Sequence, residues 1–221
     1  MDLRKNKKTE APESEAIVET TTSALVAKMA MPSAFEGEFT AADIKLPYLT
    51  ICQKSGNLMD SHPEWLGKWV YDKAASLGDT ISVVFFKVKK FYLENLPFGS
   101  DTIPRRFDTA AEAAEANCNV VDVAELDCLI EVADDFDGGK KIGDKSYIIA
   151  RYTVRSTAYG ATVRVLVKDS AMRLNNNLPS GQYKLKTEKK TNGSNSWYAP
   201  VLLADGKSPE ELQEYISANL A

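Results

Sequence analysis

Residues 80–92 read TISVVFFKVKKFY, and this run decides the fold class. Nearly every position in its first half is β-branched or aromatic, which suits a pleated, enclosed strand better than a helix. Alternation puts Ile81, Val83 and Phe85 on one face and Val84 and Phe86 on the other, so that half is expected to be buried on both sides. Residues 87–92 mix Lys87, Lys89 and Lys90 with Phe91 and Tyr92. That end is expected to emerge into solvent, with the two rings assigned equally to core or to face.

Working outward, residues 44–53 (IKLPYLTICQ) form a strand candidate interrupted by Pro47, which places it at a sheet edge or a strand start. Ser55-Gly56-Asn57 turns the chain, and residues 65–71 are short and extended. After a loop around Pro97, Gly99 and Pro104, residues 108–117 (DTAAEAAEAN) predict a helix capped by Asp108 or Thr109. Residues 126–132 are a further strand. Residues 134–144 (DDFDGGKKIGD) partly imitate a calcium loop, but Ala133 stands at its first position and no flanking helices are evident. A Gly-Gly hairpin loop is the simpler reading.

Residues 145–155 and 161–168 read as a strand pair joined around Tyr159-Gly160. One face would carry Tyr147, Ile149, Arg151, Thr153 and Arg155, and the partner strand would add Thr162, Arg164, Leu166 and Lys168. Residues 181–187 and 196–203 form a last hairpin, with Asn192-Gly193 supplying positive φ angles at its tip. Ser208-Pro209-Glu210-Glu211 then starts a helix by a capping box, with Leu212, Tyr215 and Ile216 as its buried stripe. The expected organisation is a flexible N-terminal arm over 1–34, a β domain over 35–207 and a C-terminal helix over 208–221. Residues 1–34 are polar and poor in aromatics, with a helical turn over 24–31 ended by Pro32.

With 221 residues and 44% hydrophobic composition, the chain suits one main domain. No run of eighteen apolar residues is present, so no membrane partner is expected. Glu10, Glu13, Glu15 and Glu19 stand where a secretory signal would place its apolar stretch, which argues against secretion. Three widely spaced cysteines, Cys52, Cys118 and Cys128, fit neither a disulfide framework nor a zinc knuckle, so a reducing, cytoplasmic setting is expected. A zinc site would need all three with the lone His62, and Cys52 and Cys128 read as core packing.

Charge is sorted along the chain. Residues 101–144 carry twelve acids and four bases, 4 − 12 = −8, whereas residues 145–200 carry ten bases and two acids, 10 − 2 = +8, with six aromatics. The overall −4 conceals this. Alternating charge is often only the wet face of a sheet. A basic, aromatic-rich β surface is also the footprint of a polyanion site that stacks on bases. On the second reading, Tyr147, Arg151 and Arg155 with Arg164 and Lys168 form a stripe, and Lys89, Lys90, Tyr92 and Tyr159 are further nucleic-acid-binding candidates. Lys184, Lys186, Lys189 and Lys190 with Trp197 and Tyr198 form a clamp. Trp197 reads more readily as core, and Tyr159 as an exposed loop ring.

No GxxxxGK[ST] or GxGxxG loop and no nucleophile elbow is present, so neither an enzyme nor a cofactor is expected. The acidic helix candidates disfavour major-groove reading of duplex DNA. The strings LPYLTICQKSG, LGDTISVVFFKVKKFY and YKLKTEKKTNGSNSWYAPVLL, ahead of a short terminal helix, resemble single-stranded DNA-binding proteins of phage replication modules. The resemblance spans residues 44–216 and implies an OB-like small barrel, here with one inserted helix and a short C-terminal helix. It also implies sequence-tolerant binding of single-stranded DNA in a host cytoplasm, in replication or recombination, as a homo-oligomer. The chain ends ISANLA, without the acidic tail of bacterial replication binders. Two other expectations stand beside it: a phage structural or anti-defence protein whose β surface meets protein, and a metal-dependent nuclease.

Overall fold

Residues 80–92 run through the interior of a ten-stranded sheet. The structure is a computed structural model that describes residues 45–97 and 99–220. The arm over 1–34, the helical turn over 24–31 and a domain start near Phe35 therefore lie outside the described residues. The strands are β1 (Tyr48–Ile51), β2 (Trp69–Tyr71), β3 (Ala75–Gly78), β4 (Thr80–Glu94), β5 (Arg106–Phe107), β6 (Val120–Val132), β7 (Lys140–Ile142), β8 (Lys145–Arg155), β9 (Gly181–Asn192) and β10 (Asn195–Lys207). Their order is β10-β9-β4-β6-β8-β1-β2-β3, with β5 added to β4 and β7 to β8. Every pair is antiparallel except β1 with β8.

Among the described residues the helices are α1 (Asn57–Ser61), α2 (Ala110–Glu115), α3 (Ser156–Arg173) and α4 (Glu210–Asn219). The mainly β expectation holds, but the single inserted helix does not. The stretch over 161–168, expected as a strand, lies inside the 18-residue α3. Two periods coexist there. Val163, Val165 and Val167 alternate like a strand, but Tyr159, Thr162, Val163 and Leu166 recur at helical spacing and are the residues buried. Thr162, awkward in a helix, donates its hydroxyl to the Ala158 carbonyl at 2.7 Å.

The middle of the sheet is covered on both faces. On one, Ile81, Val83 and Phe85 of β4 join Leu126, Cys128 and Ile130 of β6 and Ile148, Ala150 and Tyr152 of β8 beneath the buried side of α3. On the other, Val84, Leu129 and Tyr147 meet Leu212 and Ile216 from α4 and Leu220 at its end. The double-sided burial expected of β4 is thus realised, and a bulge between Phe85 and Lys87 marks where the strand changes character. Pro47 precedes β1, and its carbonyl accepts from the Arg151 N–H at 2.8 Å. It marks a strand start; β1 is interior, between β2 and β8, rather than at an edge.

α2 begins as its sequence suggests: the Thr109 hydroxyl accepts from the Glu112 N–H, while the Glu112 carboxylate accepts from the Asp108 N–H. The capping box expected at α4 does not form. Ser208 is buried and donates its hydroxyl to the Pro179 carbonyl at 2.6 Å, while its own carbonyl accepts from Gln213.

The sheet curls, and its far end is tied back across the curl. Beyond β1, the Gln53 amide makes a two-way pair with the Tyr198 backbone on β10, donating to its carbonyl at 2.7 Å and accepting from its N–H at 2.9 Å. The Thr187 hydroxyl on β9 donates to the Gly67 carbonyl. Gly67 has φ +78°, and a Cβ there would lie 2.4 Å from the Tyr198 ring. Only glycine permits this approach.

Candidate nucleic-acid interface

Register explains the sorted charges. β6, from the acidic stretch, lies between β4 and β8. Directly paired residues share a face in an antiparallel sheet. The rows are therefore Lys87–Asp127–Arg151, Lys89–Glu125–Thr153 and Phe91–Val123–Arg155. Arg151 binds Asp127 through two donors, at 2.7 and 3.0 Å, and reaches Glu125 at 3.7 Å. The Asp127 side chain is only 4% exposed. Lys90 meets Asp122 at 2.8 Å, Lys145 meets Glu131 at 2.8 Å, and Arg106 meets Glu125 at 3.5 Å. Asp122, then the Tyr92 hydroxyl, push the Lys90 ammonium well above its ordinary pKa. Asp127 does the same for the Arg151 guanidinium. Within the sheet, Lys145 and Arg151 of the basic stretch are thus paired with acids of the acidic one.

The rings expected in the stripe are elsewhere. Tyr147 is buried beneath α4, and burial raises its pKa. Tyr159 is no loop ring: it is buried on the inner side of α3, with Lys90 above it at 5.7 Å and above Tyr92 at 4.7 Å. Burial withdraws Tyr159 from stacking, and Tyr92 is half-buried. Arg164 and Lys168 are exposed one helical turn apart on α3, not on a strand beside Arg151. Arg155, the last residue of β8, and Lys89 are exposed. The stripe does not form one trough.

The β9–β10 hairpin differs. Its two-residue turn places Gly193 first, with φ +60°. Asn192, expected to share the positive φ, remains in β9. Register sets Lys184 against Leu203, Lys186 against Val201, Glu188 against Ala199 and Lys190 against Trp197. These pairs lie on one face, with Tyr183, Leu185 and Leu202 buried on the other. Lys189 pairs with Tyr198 on the clamped side, not with the other lysines. Trp197, expected more readily as core, is 37% exposed, and Leu203 is also open. Residues 181–207 carry Lys184, Lys186, Lys189, Lys190 and Lys207 against Glu188 and Asp205, 5 − 2 = +3. Lys184 reaches Asp205 at 3.1 Å and Lys190 reaches Glu188 at 2.7 Å, while Lys186 and Lys189 pair with no acid among the described residues. Lys190 holds the Glu188 carboxyl below its usual range.

The root of this ribbon is braced. The Tyr183 hydroxyl donates to Asp169 on α3 at 2.8 Å, Asp169 takes two bonds from Arg173, and Arg173 donates to the Gly206 carbonyl. Sequence reasoning named the lysines and Trp197 but missed Val201 and Leu203 as their partners. The signal lay in the alternation of residues 183–187 against 201–204, once both strands are extended to their full length. Among the described residues no group of acids, histidines and cysteines is arranged to hold a metal ion, and no helix is long and apolar enough to cross a membrane. Comparison with protein-family models, curated proteins and solved structures returns no match.

Proposed function

We propose that the protein binds single-stranded DNA with little sequence preference, through the outer face of the β9–β10 hairpin. The carrying observation is the register that sets three lysines on β9 opposite Trp197, Val201 and Leu203 on β10. Alternate residues on a strand lie about 7 Å apart, so the ribbon presents Lys184, Lys186 and Lys190, interrupted by Glu188, beside apolar and aromatic surface. Phosphate charge then supplies attraction, and Trp197 supplies a ring face for a base. In this reading the curled sheet and its outlying hairpin serve as an OB-like face and loop serve in oligonucleotide binding. Support for replication or recombination of phage DNA, and self-association along the strand, belong to the same proposal.

A second reading, contact with a protein, is favoured by the outer side of α3, where Val165, Val167 and Met172 are exposed. Addition of a strand at β10 is disfavoured: Gln53 occupies the outward groups of Tyr198, and Pro200, at the next outward position, has no N–H to give. Fluorescence anisotropy of a labelled oligothymidylate, titrated at rising salt, tests the proposal. Binding that weakens steeply with salt is the expected result. No binding at low salt removes the proposal and leaves the protein-contact reading.

A further inference from the structure

Beside β1 lies a cleft of about 530 Å³, within the usual size range of small-molecule sites. Its lining includes Tyr48, 37% exposed, and the apolar Ile51 and Leu58. Lys73, in the β2–β3 turn, stands 5.7 Å from the centre of that ring and forms no ion pair among the described residues. Thr50 and Asn57 offer a hydroxyl and an amide, and among the described residues neither side chain makes a hydrogen bond. Among the described residues no carboxylate lines the cleft. Another wall is Gln53, whose amide is engaged by the Tyr198 backbone, one residue from Trp197.

A partly exposed ring, apolar sides, an amide able both to donate and to accept, and a cation in no ion pair among the described residues match an unpaired nucleobase with its phosphate. Resting on the reading of the hairpin as a single-strand site, we propose that this cleft is a base subsite. One base of the bound strand stacks on Tyr48, and Lys73 meets the adjoining phosphate. Gln53 joins the two parts: it holds the β10 backbone at Tyr198, beside Trp197, and lines the cleft, so ribbon and subsite are tied together.

Two fluorescein-labelled probes of about 20 nucleotides test this, an oligothymidylate and a strand of the same length with abasic sites, because stacking needs a base and phosphate attraction does not. Wild type, Tyr48→Ala, Tyr48→Phe, Lys73→Ala and the triple variant Lys184→Ala/Lys186→Ala/Lys190→Ala are compared, with circular dichroism as the check on folding. Tyr48→Ala is expected to weaken oligothymidylate binding about tenfold, with Tyr48→Phe near wild type and abasic binding unchanged. Lys73→Ala is expected to weaken both probes several-fold. If Tyr48→Ala binds oligothymidylate like wild type while the triple variant does not, the subsite is wrong and the hairpin reading stands. Equal losses on both probes for Tyr48→Ala also overturn the subsite, since its effect would then not involve a base. If wild type binds neither probe, the hairpin reading and the subsite fall together.

Discussion

β8 and β9 look alike in sequence and are opposites in the sheet. Each places cations an even number of residues apart on one strand face, Lys145, Arg151 and Arg155 on β8 and Lys184, Lys186 and Lys190 on β9. β8 runs alongside β6, whose Asp127 and Glu125 engage Arg151 directly. β9 runs between β4 and β10; opposite its lysines β4 presents Thr80 and Ser82, and β10 presents Leu203, Val201 and Trp197. The same periodicity therefore yields an internal ion-pair ladder in one place and an outward cationic ribbon in the other. A charge pattern acquires its meaning from the neighbouring strand.

The sharpest way to break that contrast is a matched pair of alanine variants followed by urea unfolding. Arg151→Ala leaves a nearly buried carboxylate without its partner, and it is expected to lose about 2–3 kcal/mol. That is somewhat less than the roughly 3–5 kcal/mol for breaking a fully buried pair, because the arginine side is 38% exposed. Lys186→Ala is expected to stay within about 0.5 kcal/mol of wild type. Equal effects at the two sites would erase the distinction.

The attachment of the ribbon is probed next. Gly67→Ala puts a side chain at positive φ against the Tyr198 ring, and about 2 kcal/mol of stability is expected to disappear. Amide hydrogen exchange should quicken first at residues 187–199 if this clamp holds the hairpin; uniform acceleration over the whole sheet would contradict that.

A smaller effect is expected at the brace. Arg173 first, then the Tyr183 hydroxyl, hold the Asp169 carboxyl below its usual range. Because folding lowers this pKa, the stabilisation is fully present above the unfolded value of about 4. It is lost as pH falls through the lower folded value. Asp169→Asn is expected to cost about 1 kcal/mol near neutrality and to flatten the acid limb of stability below pH about 4. An unchanged acid limb would show that the network does not contribute.

Much of the scaffold was legible. The two faces of β4, the cap of α2 and the buried stripe of α4 are local patterns, set by neighbours in the chain, and they emerged where expected. The failures share a cause. Residues 161–168 satisfy two periods at once, and the helical one prevails because Tyr159, Val163 and Leu166 then fill the concave side of the sheet. The supposed stripe failed for a similar reason: Arg151 and Tyr147 are placed by β6 and α4, partners that no local pattern reveals. Gln53, remote in sequence from Tyr198, left no trace before the fold was known.

The central claim is that the lysines of the hairpin, and not the arginines of β8, meet the DNA. It is tested most directly by the salt dependence of oligothymidylate binding in Lys184→Ala/Lys186→Ala/Lys190→Ala beside that in Arg155→Ala. Each phosphate contact adds about 0.7 to the slope for single strands, so the triple variant should be shallower by about 2, with Arg155→Ala close to wild type. An unchanged slope in the triple variant, or a comparable drop in Arg155→Ala, would contradict the account.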